Sequence, residues 1–305
     1  MKVPFKYWVE YIALRAVGGF LNILPYRVAL FIAWCLARVA FHVIRFRRTE
    51  TLRRIRLVFG DKMTARRAKQ IAWISLRNTM FNAVEMFRAA RIDQAWVDRH
   101  IPGFKDKIPS VHELVDRHKG VVLTVPHMGN WDLAGWACCR YGVQMFSVAT
   151  HQRNGLINDW MNRQRQHGMT VLERGRGTML QISRRLRSGG VLAILPDVRV
   201  PTPDLSVPFL GGTANVGRGM AMFAISAKVP IVPAIFRREG WTRHTFVQLP
   251  TIYPDPEKPK EEEAERITNL VMAQVDAAIR ETPEQWFWYN KRWILFPVKR
   301  VSDPK

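Results

Sequence analysis

At 305 residues, 48% of them hydrophobic, the chain is too apolar to be disordered, and it is long enough for one large domain or a domain with an appendage. Its formal charge of +22 and pI of about 10.8 direct it to polyanions, meaning nucleic acid, anionic lipid or a phosphorylated substrate. Cys35, Cys138 and Cys139 form no C-x-x-C and no disulfide or zinc spacing, which fits a reducing, cytosol-facing location with no metal.

Two apolar runs open the chain. Residues 11–24, YIALRAVGGFLNIL, are interrupted by Arg15, and residues 28–44, VALFIAWCLARVAFHVI, carry Arg38 and His42. As a helix the second run is about 25 Å long, at the short end for crossing a bilayer. Arg38 lies about two turns from Arg45 and can snorkel toward the same face. Glu10 ahead of the run and Arg45-Phe46-Arg47-Arg48 behind it argue against a cleaved signal peptide. The expected form is a helical hairpin or a single anchor set in the membrane from the cytosolic face, with buried core helices as the alternative. Residues 45–69 hold ten Lys or Arg against Glu50 and Asp61, a basic collar suited to anionic headgroups. Residues 1–60 are thus expected to anchor the chain and residues 61–305 to form the catalytic domain.

Thr64 to Ile92 reads as a long helix. Trp73, Leu76, Met80, Val84 and Phe87 make one stripe on it, expected to pack against the catalytic domain. From about Gly120 short apolar runs alternate with amphipathic segments. Strands are predicted over Val121–Val125, Gln144–Ala149, Met169–Leu172, Val191–Leu195, Ile231–Phe236 and Thr245–Leu249. Helices are predicted over Trp131–Arg140, Asn154–His167, Gly177–Ser188, Gly217–Lys228 and Lys260–Glu281. This alternation predicts an α/β fold with a mostly parallel central sheet flanked by helices, and a site beyond the carboxyl ends of the strands. His127 and Asp197 both follow such ends.

The stretch TVPHMGNWDLAG, residues 124–135, carries the chemistry. His-x4-Asp alone is a weak motif, and a histidine satisfied by a loop carbonyl is the plain alternative. Its context adds weight. Gly129 permits a tight turn, Asn130 can cap the next helix, and Asp132 falls in that helix's first turn, where the dipole favours a carboxylate. Asp132 is expected to reach one imidazole nitrogen of His127 and leave the other free, the base-plus-orienter half of a triad. No G-x-S-x-G elbow or placed cysteine supplies a nucleophile, and Walker A, G-x-G-x-x-G and H-E-x-x-H are missing. A base without a protein nucleophile suits direct attack by a substrate hydroxyl on an activated acyl group.

PHMGNWDLAG, HQRNGLINDWMNRQRQHG, ILPDVRVPTPDLSVPFLG and PEQWFWYNKRW, in this order, resemble the bacterial lipid A late acyltransferases (lauroyl/myristoyl acyltransferases) and their relatives, the phosphatidylinositol mannoside acyltransferases. The resemblance spans nearly the whole chain. It implies a glycerolipid-acyltransferase-like fold on the cytoplasmic face of the bacterial inner membrane. It also implies acyl transfer from acyl carrier protein or acyl-CoA to a lipid-linked sugar hydroxyl, with no other cofactor. His127 matches the family's general base and Asp132 its partner carboxylate. Arg153, Asn154, Arg163 and Arg165 match a basic segment associated with the substrate's charged groups, and Asp197 the acidic residue after the later strand. The chain departs from the pattern where it has Asp197-Val198 in place of a common Asp-Gln, and Asp132 in place of the lauroyl branch's common Glu.

Asn130 joins the expected substrate contacts. Arg153, Arg174, Arg176 or backbone amides near Gly129 are the candidates for stabilising an oxyanion. Trp131, Trp136, Met145 and Phe146 are candidates for an acyl slot, with core packing as the plainer role of each. Acyl carrier protein, acidic as a class, and an anionic glycolipid are the expected partners. The rivals are acylation of another glycolipid or a lysophospholipid, a lipid hydrolase, an inert membrane scaffold, and a basic nucleic-acid-binding protein. Against the last, the basic run directly follows apolar segments, and no RNA-binding signature is present.

Overall fold

The computed structural model describes residues 3–149, 152–173, 175–200, 202 and 204–295. Apolar residues recurring at helical spacing build the amino-terminal region: α1 (Phe5–Ile23), α2 (Tyr26–Arg38, extended by a π turn, Val39–Val43), α3 (Arg48–Phe59) and α4 (Ala65–Phe87). Pro25 ends α1, because the residue before a proline is driven out of helical conformation; Leu24 is extended. Both α1 and α2 lie against α4, through Leu21, Ala29, Leu30, Ala33, Phe81 and Val84. Arg88 caps the end of α1 by donating to the carbonyls of Leu21 and Leu24, each at 2.7 Å.

The stripe on α4 packs on the sheet domain in part, as the sequence predicts, since Leu76 is buried in the core beneath the sheet and Trp73 and Met80 pack against that core, but it also meets the anchor helices. Trp73 meets Trp34 and Phe41, Val84 joins the α1–α2 cluster, and Phe87 meets Trp160. Another face of α4 turns to the sheet domain with polar groups. Ser75 donates to the Trp286 carbonyl (2.6 Å), and the Ala72 carbonyl accepts from Tyr289 (3.0 Å). The basic α3 is also tied down, since buried Arg54 donates to the carbonyls of Trp288 (3.1 Å) and Asn290 (2.6 Å).

The other face of α1 and α2 is uncovered. Fifteen of the 21 exposed large apolar side chains among the described residues lie between Val3 and Phe46. The stretch Tyr26–Val43 is long and apolar enough to cross a membrane, and only 28% of it is buried.

Two short helices follow, α5 (Gln94–His100) and α6 (Phe104–His118). Then come β1 (Val121–Thr124), α7 (Trp131–Arg140), β2 (Met145–Ala149), α8 (Gly155–Arg165), β3 (Thr170–Glu173), α9 (Thr178–Arg187) and β4 (Val191–Ile194). A hairpin of β5 (Leu205–Phe209) and β6 (Gly212–Val216) leads to α10 (Gly219–Ala227), β7 (Ile231–Glu239), β8 (Arg243–Gln248) and α11 (Lys260–Glu281). The main sheet has the order β3-β2-β4-β1-β7-β8, parallel throughout except for antiparallel β8. The architecture is α/β with a mostly parallel sheet, as the alternation predicts; the hairpin and α5–α6 were not predicted.

Side chains alternate across the strands and feed two cores. Val122, Phe146, Leu192, Ile231 and Ile235 face α10 and α11, while Val121, Leu123, Met145, Val191 and Val232 face α5 to α7. Phe146, Met145 and Trp136 are buried within these cores, so three of the four side chains considered for an acyl slot are occupied in packing. Cys138 is likewise buried in core.

Candidate active site

β1 and β4 are hydrogen-bonded neighbours with Thr124 opposite Ile194. His127 and Asp197 therefore stand at equal distances past two adjacent strand ends, on the side where parallel sheets carry their sites. The His127 Nδ1 lies 2.9 Å from Asp197 Oδ1, and the His127 backbone N–H donates to Oδ2 at 2.9 Å. The Trp286 indole donates to the same Oδ2 at 2.7 Å. Asp197 is buried, with 2% exposure. Burial pushes its carboxyl up, but the imidazole and the indole and amide donors outweigh that and hold it below the usual carboxylate range.

This corrects the expected partner. The carboxylate on Nδ1 is Asp197, whereas Asp132, in the first turn of α7, accepts from Arg165 of α8 at 2.9 Å. No hydrogen bond joins Asp132 to His127 among the described residues. Nδ1 faces the neighbouring strand's loop, where three donors converge on one carboxylate, and α8 brings a guanidinium to the Asp132 side chain.

The imidazole has 19% of its side-chain surface exposed, and no protein group bonds Nε2 among the described residues. With Nδ1–H held by a carboxylate, Nε2 is the basic nitrogen. The Trp131 ring packs edge-on against the imidazole, with centroids 4.8 Å apart. No Ser, Thr or Cys hydrogen-bonds His127 among the described residues. Burial pushes the Cys138 thiol up to about 12 and Cys139 up to about 11, away from thiolate chemistry. No cluster of metal-ligating side chains occurs among the described residues.

The loop that carries His127 is built from both ends of the chain. Gly129 is left-handed (φ 56°), and a Cβ there would sit 2.0 Å from the Phe236 carbonyl oxygen. Its carbonyl accepts from Asn82 at 2.5 Å. Its N–H donates to the Gln285 carbonyl (2.9 Å), and the Met128 N–H to the Pro126 carbonyl (2.6 Å). These two amides are spent internally and are not free to hold an oxyanion. The His127 carbonyl accepts from Phe287 N–H at 2.9 Å, so the block PEQWFWYNKRW closes over the histidine.

Asn130, expected to touch substrate, is 2% exposed and fully used. Its oxygen caps α7 at Leu133 N–H (3.0 Å), and its amide donates to Glu85 (2.5 Å). Glu85 is the centre of a buried network. Arg238 grips both its oxygens (2.8 and 2.6 Å), Tyr26 donates to it (2.5 Å), and His244 lies 3.3 Å away. Burial alone would raise the Glu85 carboxyl, but Arg238 and His244 hold it well below the usual range. Through Asn82, Glu85 and Asn130 the histidine loop is braced against α4 and, via Tyr26, against the foot of α2.

Asn154 is also structural. It caps α8 at Leu156 N–H (3.1 Å) and donates to the Tyr7 carbonyl (3.1 Å) and Glu10 (2.9 Å) of α1. Arg153, Arg163 and Arg176 are exposed, Arg165 is half-buried on Asp132, and Arg174 lies outside the described residues. The structure thus gathers His127 and Asp197, places Asp132 and Arg165 beside them as a pair, and gives Asn130 and Asn154 to helix caps.

The sequence model of the family described as bacterial lipid A biosynthesis acyltransferase matches residues 3–294. The chain belongs to that family. Among curated proteins it is 24% identical over 186 residues to a phosphatidylinositol mannoside acyltransferase of Mycolicibacterium smegmatis, covering 59% of each chain. It is 22% identical over 216 residues to the Mycobacterium tuberculosis protein of the same name, covering 69% of this chain and 66% of that one. The matches thus span about three fifths to two thirds of those relatives' length. Among solved structures, the 1-acyl-sn-glycerophosphate acyltransferase PlsC from Thermotoga maritima aligns with a TM-score of 0.37 at 13% identity, over 84% of this chain and 98% of that one.

Proposed function

We propose that the chain is a membrane-attached O-acyltransferase of the bacterial inner membrane's cytoplasmic face. It would move a fatty acyl group from an acyl carrier protein or CoA thioester to a hydroxyl of a lipid-linked sugar such as a lipid A precursor. The observation that carries the reading is a histidine whose Nδ1 is held by a buried carboxylate and whose Nε2 is open, with no protein nucleophile beside it. Family membership supports an acyl-transfer chemistry, and the relatives' names support a glycolipid acceptor. The apolar face of α1 and α2 supports membrane attachment. The charge of +22 suits an acidic donor protein and an anionic acceptor.

In this reading Nε2 accepts the proton of the acceptor hydroxyl as its oxygen attacks the thioester carbonyl. Asp197 stabilises the imidazolium, and Trp286 and the His127 amide hold Asp197. Collapse of the tetrahedral intermediate breaks the C–S bond, and the imidazolium returns its proton to the thiolate. The products are an ester and a free thiol, with no acyl-enzyme between.

The test incubates membranes bearing wild-type or His127→Ala protein with mixed acyl carrier protein thioesters and bacterial envelope lipids, read by mass spectrometry. A lipid gaining one acyl mass with wild type alone is the expected result and names the acceptor. Free fatty acid with wild type alone would make the protein a hydrolase.

A further inference from the structure

A cavity of about 690 Å³ opens between α1, the end of α4 and α8. Arg15, Arg91, Arg163 and His167 line it, and no Asp or Glu does. None of these three arginines is ion-paired among the described residues; Arg15 donates only to the Tyr11 hydroxyl (3.2 Å). Phe87 and Trp160, with centroids 5.0 Å apart, supply an apolar wall, and Asn22, Gln164 and Gln166 add polar groups. The cavity adjoins the apolar belt, since α1 exposes Val17, Phe20 and Ile23 around Gly18 and Gly19.

Unpaired guanidinium groups in a recess favour a phosphate, which takes two N–H donors from each. A volume of this order suits a headgroup. An apolar rim on a helix facing the bilayer favours an amphiphile over a soluble ion. None of His127, Trp131, Asp132 and Asp197 lines the cavity, so it is separate from the reaction centre.

We propose that this cavity binds the anionic phosphate headgroup of a bilayer lipid. The inference rests on the membrane attachment proposed above and not on the identity of the acceptor. A bound headgroup would bridge α1 to α8, which Asn154 already joins and whose Arg165 reaches Asp132.

The test uses the full chain purified in a neutral detergent and titrated with phosphatidylglycerol, phosphatidylcholine or inorganic phosphate, with bound lipid counted by native mass spectrometry. One phosphatidylglycerol per chain is expected, held about tenfold or more tighter than phosphatidylcholine. Arg15→Gln/Arg91→Gln should weaken it by at least about tenfold, and Arg243→Gln, exposed at the start of β8 and outside both the cavity and the basic collar, should not. Gly19→Leu gives a second, charge-neutral test. Gly19 lines the cavity and a Cβ there meets nothing within 4 Å, so a leucine can be built into that space, and retention should fall likewise. Melting temperatures near wild type for both variants tie the loss to the cavity. Equal retention of phosphatidylcholine, or unchanged retention in both variants, would overturn the proposal. Displacement by millimolar inorganic phosphate would replace the lipid with a free phosphate. No outcome depends on acyl transfer, so the reading of the active site stands or falls separately.

Discussion

Asp197→Asn tests the site most sharply, because the hydrogen bonds around the carboxylate dictate how an amide must sit. Oδ2 accepts two donors, His127 N–H and the Trp286 indole, and Oδ1 accepts one, from Nδ1. An asparagine keeps its oxygen where two N–H groups converge, which places its NH2 against Nδ1. An NH2 there needs an acceptor, so Nδ1 loses its proton and Nε2 gains it. The imidazole then presents a donor to the acceptor hydroxyl in place of a base. The fold keeps both bonds to the oxygen, so the melting temperature should change little. Turnover should fall by on the order of 1,000-fold, about 4 kcal/mol in barrier, the scale at which orienting carboxylates act on catalytic histidines. Asp132→Asn leaves Nδ1 its partner and breaks only the pair with Arg165, for a loss of about 10- to 100-fold. Initial rates of acyl transfer with purified variants, beside thermal melts, decide this. Turnover of Asp197→Asn within about threefold of wild type would refute the assignment.

Other outcomes follow from single contacts. Trp286→Phe keeps the ring in place but removes one donor from Asp197, so kcat should fall about tenfold with KM for the acceptor nearly unchanged. Gly129→Ala drives a methyl into the Phe236 carbonyl and strains a left-handed residue, and should lower both the melting temperature and the rate. His244 is buried beside Arg238, its Nδ1 has no partner among the described residues, and burial first and Arg238 second push its pKa down to about 4. The unfolded chain therefore takes up that proton first as pH falls, and up to about 3 kcal/mol of stability is lost between about pH 6.5 and 4. Wild type should lose melting temperature over this range more steeply than His244→Gln; parallel curves would contradict it. Raised salt should increase KM for an acyl carrier protein thioester while leaving that of a CoA thioester less affected, and equal responses would remove the basic surface from donor recognition.

The sheet was legible because Val- and Ile-rich runs alternate with amphipathic segments, and the predicted strands match the observed ones to within a few residues. The order of the strands was not. That His127 and Asp197 follow strand ends is readable from the chain; that β1 and β4 are neighbours is not, and the adjacency alone makes them partners. The spacing from His127 to Asp132 offered a closer carboxylate, but a helix-first-turn residue is equally open to a guanidinium from another helix, here Arg165. Trp286 reaches Asp197 from 89 residues away, and Arg238 reaches Glu85 from 153 away, distances at which local pattern carries no signal. The Met80–Phe87 end of the α4 stripe was recognised as a packing face, yet periodicity cannot say whether the anchor helices or the sheet cover it. Asn130 and Asn154 show the opposite failure. Asn130 reads as a cap as well as a substrate contact, and Asn154 falls inside its predicted helix as a substrate contact; in both, capping the following helix is the role the structure uses.

Direct attack by the acceptor hydroxyl is the central claim, and intact-protein mass after incubation with donor alone tests it. Purified protein given an acyl carrier protein thioester and no acceptor should keep its unmodified mass, with ester forming only once an acceptor lipid is added. A stoichiometric acyl adduct that chases into the acceptor lipid would mean that a protein nucleophile carries the acyl group, and that His127 serves it.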